Sequence, residues 1–393
     1  MSTQFDKSEA SFPYKSSGAV ALDTCFRSAM RASTVEAVRN AMQAEAELGS
    51  EIGSHSEYGN LAIQGGLRRA VSRLLKVPQN EISLHGNTDA AMKVIASRFP
   101  FEPTSSTVVA LRGDYPSVYD SFAQRRGVNL AFIEGRLDDN HRPISWDVNE
   151  LDRILALTRA PLVAISHVMY RSGFRADLER VQDVCRSHGA YLVIDAAQSI
   201  GVYPLHPLEI GIDAVAFPFW KGCEAPRGTA ALWTSPVFSE LLDSTDYRCH
   251  EVKELISSTG MTSIDRPDAV RFEPTTLPTP LLAGTLEALN QGVLRYPHGE
   301  LYSEVMRLQR LFAEKLDTDY AKPVLQDDLR GGLILALYLP RHEGKEGFVV
   351  KAAREEGIRI TNRDGMVRIS PHYHCTDAEI VEAAERLNTI LKS

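Results

Sequence analysis

Two side chains in this sequence have the types and the spacing for covalent chemistry. The apolar run Tyr191-Leu-Val-Ile ends in Asp195, followed by Ala-Ala-Gln198-Ser, and a second run, Ala214 to Trp220, interrupted by Pro218, ends in Lys221. Each run reads as a buried strand, so both polar side chains arrive at strand ends. A lysine removed from water has a lowered pKa and becomes a usable amine, able to hold an aldehyde as a Schiff base. An acid at the same place keeps a pyridine nitrogen protonated, so that the ring can accept electrons. These are the needs of pyridoxal phosphate (PLP) chemistry. Read singly, Asp195 would be a helix cap and Gln198 a turn residue.

The elements around the pair follow a regular pattern. Helical periodicity is expected at 36–49 and 64–76, where Leu67, Val71, Leu74 and Leu75 share a face. Short apolar runs follow at Ile82, Thr107, Leu130, Pro161, Leu192, Asp213 and Thr229, most of them separated by helical patterns at 88–98, 116–126, 148–158 and 176–188. Apolar strands alternating with helices imply a largely parallel sheet covered on both faces, with ligands beyond the strand C-termini. After residue 235 the pattern changes: a polar, turn-rich stretch (244–279) precedes helices near 280–295 and 300–318. The strand at 331–338, the helix 345–356, the strand at Val367 and the helix 376–391 then form a small α+β unit.

Composition narrows the class. The 393 residues exceed one ordinary core and suggest two domains, and the net charge of −8 gives no sign of nucleic-acid or membrane binding. No apolar run approaches the roughly 20 residues that span a bilayer. Five scattered cysteines, without a CxxC spacing, suit a reducing cytoplasm and lead to the expectation of no structural metal. The polar N-terminus, 1–17, reads as a short disordered arm rather than a signal peptide.

Asp195-Ala-Ala-Gln198, Lys221 and Pro226-Arg-Gly228 together resemble the class V aminotransferase family of fold-type I PLP enzymes, which includes cysteine desulfurases, kynureninase, isopenicillin N epimerase-like proteins and C–S lyases. The resemblance spans roughly 18–391. It implies a mainly parallel seven-stranded sheet sandwiched by helices, in a large domain over 18–285 whose N-terminal segment could pack on a small α+β domain over 286–393. It also implies site roles. Asp195 would pair with the pyridinium nitrogen and Gln198 with the ring's phenolic oxygen. His85-Gly86-Asn87-Thr88 would form the phosphate turn, the helix start and the Thr88 hydroxyl favouring a dianion. Tyr115 would stack on the ring. Thr276, in Phe272-Glu-Pro-Thr-Thr, would reach the phosphate of a partner subunit, so a homodimer with shared sites is implied. Arg368, in Val-Arg-Ile-Ser-Pro-His372, would grip the carboxylate of an amino-acid substrate with paired hydrogen bonds. Arg171 is a second substrate candidate, or a support for Asp195 or a neighbouring loop. Cys25, Phe26 and Arg27 are pocket candidates.

Departures from the family pattern bear on the reaction. The loop Arg354 to Gly365 lacks the desulfurase cysteine, which disfavours a persulfide mechanism. Phe219-Trp220 replaces the usual polar pair before the lysine. His374-Cys375 replaces Tyr-Asn, and packing near the cofactor is preferred for it over a metal or nucleophile role. With Lys221 as base at Cα, the expected activity leans to a β-elimination lyase on an L-amino acid, with C–S cleavage among the candidates. An aminotransferase is the alternative, and epimerisation and decarboxylation-linked chemistry stay open. A nucleotide-binding protein on the same sheet is disfavoured by the absence of GxGxxG after the first strands.

Overall fold

The computed structural model describes residues 3–53, 55–102, 106–139, 141–243, 255–257, 260–262, 268–274 and 276–393. Most of the expected polar stretch at 244–279 lies outside the described residues, as does Cys249. Seven strands form the central sheet: β1 (Ile82–His85), β2 (Ser106–Leu111), β3 (Val128–Ile133), β4 (Leu162–Ser166), β5 (Tyr191–Asp195), β6 (Ala214–Pro218) and β7 (Ala230–Thr234). They lie in the order β1-β7-β6-β5-β4-β2-β3. β7 runs antiparallel to both neighbours and the remaining pairs are parallel.

Side-chain alternation explains why both faces are apolar. Leu192 and Ile194 of β5 enter one core with Val163, Ile165, Val215 and Phe217, while Val193 enters the opposite core with Leu162, Ala164, Ala214 and Ala216. With a period of two and both faces covered, the strands read as continuous apolar runs. Register then aligns the functional ends, since Ser166 pairs with Asp195 and Asp195 with Ala216.

The helices Thr88–Arg98 and Val148–Thr158 occupy the residues the periodicity indicates. The expected helix at 116–126 is reduced to a turn at Pro116–Val118 and one helical turn at Asp120–Ala123. The connection is short: Gly113 and Gly127, both at positive φ, bound it between β2 and β3.

The C-terminal unit is a four-stranded antiparallel sheet of Lys322–Pro323, Leu335–Tyr338, Met366–Ile369 and Thr361–Arg363, in that spatial order. The helix Asp377–Lys392 packs its Ile380, Ala384 and Leu387 into this core and starts with a Thr376–Glu379 capping box. Val20–Ala21 pairs in parallel with Ile358–Arg359, so the N-terminal segment lies against this unit.

The N-terminal arm is not a disordered tail. Phe12 is fully buried, its ring 4.5 Å from that of His374 and 4.6 Å from the Arg31 guanidinium. Lys7 pairs with Glu304 at 2.7 Å, Lys15 with Glu379 at 2.6 Å, and Asp6 with Arg31 at 2.9 Å. Polar composition suggested disorder, but one aromatic anchor and three ion pairs hold the segment.

Candidate active site

A cavity of about 510 Å³ opens beyond the C-terminal ends of the central strands, lined in part by the C-terminal unit through Arg363 and Arg368. Asn87, Thr88, Tyr115, Asp195, Gln198, Lys221 and Arg368 all line it. Six of these come from the ends of four different strands or the turns after them. The seventh, Arg368, sits on the strand Met366–Ile369.

Two glycines bring the acid and the lysine together. A side chain on Gly222 would collide with the Ile200 carbonyl, and one on Gly201, held at φ 81°, would collide with Gly222. The turn after Asp195 therefore lies directly against the turn after Lys221, a closeness open only to glycine.

Asp195 is buried. One carboxylate oxygen accepts the Ala197 N–H at 2.7 Å, and no hydrogen bond engages the other among the described residues. Burial pushes its pKa up to about 6, with Lys221 and the Ala197 N–H pulling the other way. Lys221 is half-buried, and desolvation pushes its ammonium down to about 8; Asp195 opposes this, while Arg368 and Arg363 add to it. Its Nζ lies 6.0 Å from the Tyr115 ring centre.

Gln198 donates from Nε2 to the Cys25 carbonyl at 3.1 Å, and its buried Oε1 has no partner. At the other end, the Asn87 side chain caps the helix Thr88–Arg98 by accepting the Ala90 N–H at 2.8 Å. The first N–H groups of that helix have no intrahelical partner and face the side of the cavity where Thr88 and Asp89 line it, a setting that favours a phosphate. Arg368 is fixed by Nη1 donating to the Tyr170 carbonyl at 2.7 Å and Nε to Thr361 Oγ1 at 3.2 Å. Three of its five N–H donors remain for a ligand.

Three expected residues, Arg171, Thr276 and Arg27, stand elsewhere. Arg171 does not line the cavity. Its Nε lies 3.2 Å from Asp364 Oδ2 and its Nη2 donates to the Asp364 carbonyl, so it braces the turn carrying Arg363, the loop-support alternative. Thr276 is exposed and outside the lining. Cys25 and Phe26 line the cavity, whereas Arg27 faces a separate surface groove with Met30 and Val38. Trp220 lines the cavity, while Phe219 is buried against Phe217. His374 and Cys375 do not line the cavity: His374 packs on Phe12 of the N-terminal arm, and Cys375 sits in the core of the C-terminal unit.

Sequence reasoning missed several members. Asp114, wholly buried, accepts from Ser166 N at 2.8 Å, Ser166 Oγ at 2.6 Å and Tyr115 N at 2.7 Å, and so ties Tyr115 to the end of β4. Its place beside Tyr115 was the available signal. Tyr170, Arg227 and Arg363 line the cavity itself, Tyr170 and Arg227 from loops and Arg363 from the end of the strand Thr361–Arg363.

The site's donors fit PLP. A buried carboxylate with one uncommitted oxygen suits a pyridinium N–H. A helix start suits the phosphate, and a desolvated amine suits an aldehyde.

The comparisons agree with this geometry. A probable cysteine desulfurase of Methanothermobacter thermautotrophicus is 30% identical over 172 residues, 43% of this chain and 41% of that protein. The chain thus spans less than half the length of that relative, and likewise 43% of a probable cysteine desulfurase from Pyrococcus abyssi. A kynureninase of Bacillus cereus is 26% identical over 331 residues, 80% of this chain and 75% of that protein. Among solved structures, the cystine C–S lyase C-DES in complex with cysteine persulfide superposes with a TM-score of 0.82 at 19% identity, covering 96% of this chain and 99% of that one. The apo cysteine desulfurase of Thermococcus onnurineus NA1 gives 0.81 at 18% identity, covering both chains in full. At such identities these two likenesses establish the fold, which is that of fold-type I PLP enzymes. The family model described as aminotransferase class-V matches residues 27–294, all seven strands of the central sheet and the Asp195–Lys221 region with them, and this chain belongs to that family.

Proposed function

We propose that the chain is a PLP-dependent lyase that removes a β-substituent from an L-amino acid, with cleavage of a C–S bond. The observation that carries the reading is a lysine of lowered pKa sharing one cavity with a buried acid and a braced arginine, Lys221, Asp195 and Arg368. A cystine C–S lyase among the similar structures supports the choice of bond. The absence of cysteine from 354–365, where a desulfurase carries its nucleophile, favours elimination over transfer of sulfur to the protein as a persulfide.

PLP, the cofactor of this family, when bound supplies an electron sink for the pair left at Cα. The chain's own groups do the rest. Thr88, Asn87 and the helix start would hold the phosphate. Asp195, as carboxylate, would hold the proton on the ring nitrogen, Gln198 would pair with the phenolic oxygen, and Tyr115 would pack on the ring. Arg368 would fix the substrate carboxylate and so orient the bonds at Cα. Lys221 Nζ, as a free amine, would take the Cα proton. The Cβ–S bond then breaks and its electron pair leaves with sulfur as thiolate. The enamine that is released hydrolyses to a keto acid and ammonium.

We also propose a cytoplasmic homodimer with shared sites. Thr276 is exposed and lies outside its own chain's cavity, as a reach toward a partner's phosphate requires. Cys25, Cys185, Cys223 and Cys375 are all free thiols, which suits a reducing compartment. Among the described residues no helix is long and apolar enough to cross a membrane.

The test is incubation of the holoenzyme with a panel of L-amino acids, cystine and cysteine included, and no keto-acid acceptor. Continuous release of keto acid, ammonium and thiol is expected. A single-turnover conversion of the cofactor to its amine form would overturn elimination in favour of transamination.

A further inference from the structure

Behind Lys221, outside the cavity, a second cluster of chemistry-bearing side chains is buried. Glu224, His372 and His374 are each wholly inaccessible to solvent. Their ligand atoms lie within 4.8 Å of one another, with His372 Nδ1 at 3.6 Å and His374 Nε2 at 3.8 Å from Glu224 Oε1. None of these three atoms has a hydrogen-bond partner. We propose that they bind one divalent first-row transition-metal ion of the zinc class.

The outward side of each ligand is already committed, and that fixes what faces inward. His372 Nε2 lies 3.1 Å from the Gly222 carbonyl, so that nitrogen carries the proton and Nδ1 presents its lone pair. His374 Nδ1 lies 3.0 Å from the Tyr14 hydroxyl, and Nδ1–H donating there leaves the Nε2 lone pair inward. Glu224 Oε2 accepts from the Tyr373 hydroxyl at 2.7 Å, leaving Oε1 inward. Metal-ligating histidines are characteristically held in this way, by a hydrogen bond from the far ring nitrogen.

With His374 in the tautomer that donates from Nδ1 to Tyr14, the inward atoms are acceptors facing acceptors. Their separations exceed a hydrogen bond. The two histidine–Glu224 separations, 3.6 and 3.8 Å, approach the spacing of about 3.3–3.5 Å between ligands around an ion with bonds of about 2.0–2.1 Å, and the third lies within 4.8 Å. Two imidazoles and one carboxylate are a donor set that zinc and its neighbours accept. Arg31, whose Nε is 3.7 Å from Glu224 Oε2, is already paired with Asp6 at 2.9 Å, so its charge is offset.

Such an ion joins three parts of the chain. Tyr14 belongs to the N-terminal arm, Glu224 to the turn after Lys221, and His372 and His374 to the segment after Arg368. Through His372 the ion also bears on Gly222, next to Lys221. The expectation of no structural metal came from cysteine spacing, which is silent on a site of this kind. Cys375 takes no part, its Sγ facing the Ala21 carbonyl at 3.6 Å.

The experiment measures metal in full-length holoenzyme, purified without metal-affinity resin or chelator, by plasma mass spectrometry. About one ion per chain is expected, retained in Lys221→Ala protein freed of PLP and lost in Glu224→Gln and His374→Asn proteins. Retention in the last two, or loss in Lys221→Ala, would place the ion elsewhere and overturn the proposal. Should the two variants fail to fold, wild-type protein stripped with a chelator is titrated with Zn²⁺ and with Co²⁺. Saturation near one equivalent, with a rise in melting temperature and a cobalt absorption band, is expected. Wild-type protein that carries no metal as isolated and binds neither ion saturably refutes it.

Discussion

In the cofactor-free protein Lys221 should titrate far below an ordinary lysine. Burial pushes its ammonium from 10.5 down to about 8, the nearby Arg368 and Arg363 press the same way, and Asp195 opposes them. At pH 7 a pKa of about 8 leaves roughly one amine in eleven unprotonated, against roughly one in three thousand at 10.5, a gain of roughly 300-fold in nucleophile. The assay is competitive labelling with trace acetic anhydride from about pH 6 to about pH 11, read by peptide mass. The exposed Lys351 in the same sample serves as reference. The Lys221 peptide should show its break near 8. In Asp195→Asn protein the break should move lower, because the carboxylate that favours the ammonium is gone. The stability sign follows: the folded state resists protonating Lys221, so the penalty is present below about pH 8 and fades as pH rises toward the unfolded value. A wild-type break near that of Lys351, or an upward shift in Asp195→Asn, would refute the reasoning.

Other perturbations have defined outcomes. Arg368→Lys removes the planar fork facing the substrate carboxylate, and a charge-assisted hydrogen bond of about 1.5–3 kcal/mol corresponds to a fall in kcat/KM of roughly 10- to 150-fold; steady-state kinetics showing no change would contradict the carboxylate role. Phe12→Ala empties a fully buried aromatic site between Arg31 and His374 and should cost about 3–5 kcal/mol in urea unfolding, whereas a loose arm would give no change. Burial and the nearby Arg175 hold the His167 imidazole down to about 3, so the unfolded chain takes up its proton first and stability falls as pH drops from about 6.5 toward 3. His167→Gln should flatten that decline by roughly 2 kcal/mol at pH 5; equal slopes in wild type and variant would exclude His167 as a source.

The sequence made the sheet legible because both of its faces are buried, so each strand stands out as an apolar run bounded by polar turns. Asp195 and Lys221 were readable for the same reason, as polar residues at the ends of such runs. What escaped depends on contacts between distant segments. The N-terminal arm looked disordered because its anchor, Phe12, packs on His374, far away in sequence. Arg171 carried two readings, substrate contact or support, and only the turn at Asp364, which holds its guanidinium, separates them. Tyr170 and Arg227 reach the cavity from loops, which carry no periodic signal, and Arg363 from the end of a strand of only three residues. Asp114 stood beside Tyr115 in sequence, but its tie to Ser166 forms only when β2 and β4 lie side by side.

The most direct test of the central claim is the visible spectrum of the purified protein with PLP, before and after borohydride, followed by peptide mass analysis. A coloured protein is expected, whose band disappears on reduction and leaves a pyridoxyl adduct on the peptide containing Lys221, with Lys221→Ala forming no adduct. A colourless protein that gains no band with added PLP, or an adduct that persists in Lys221→Ala, would contradict it.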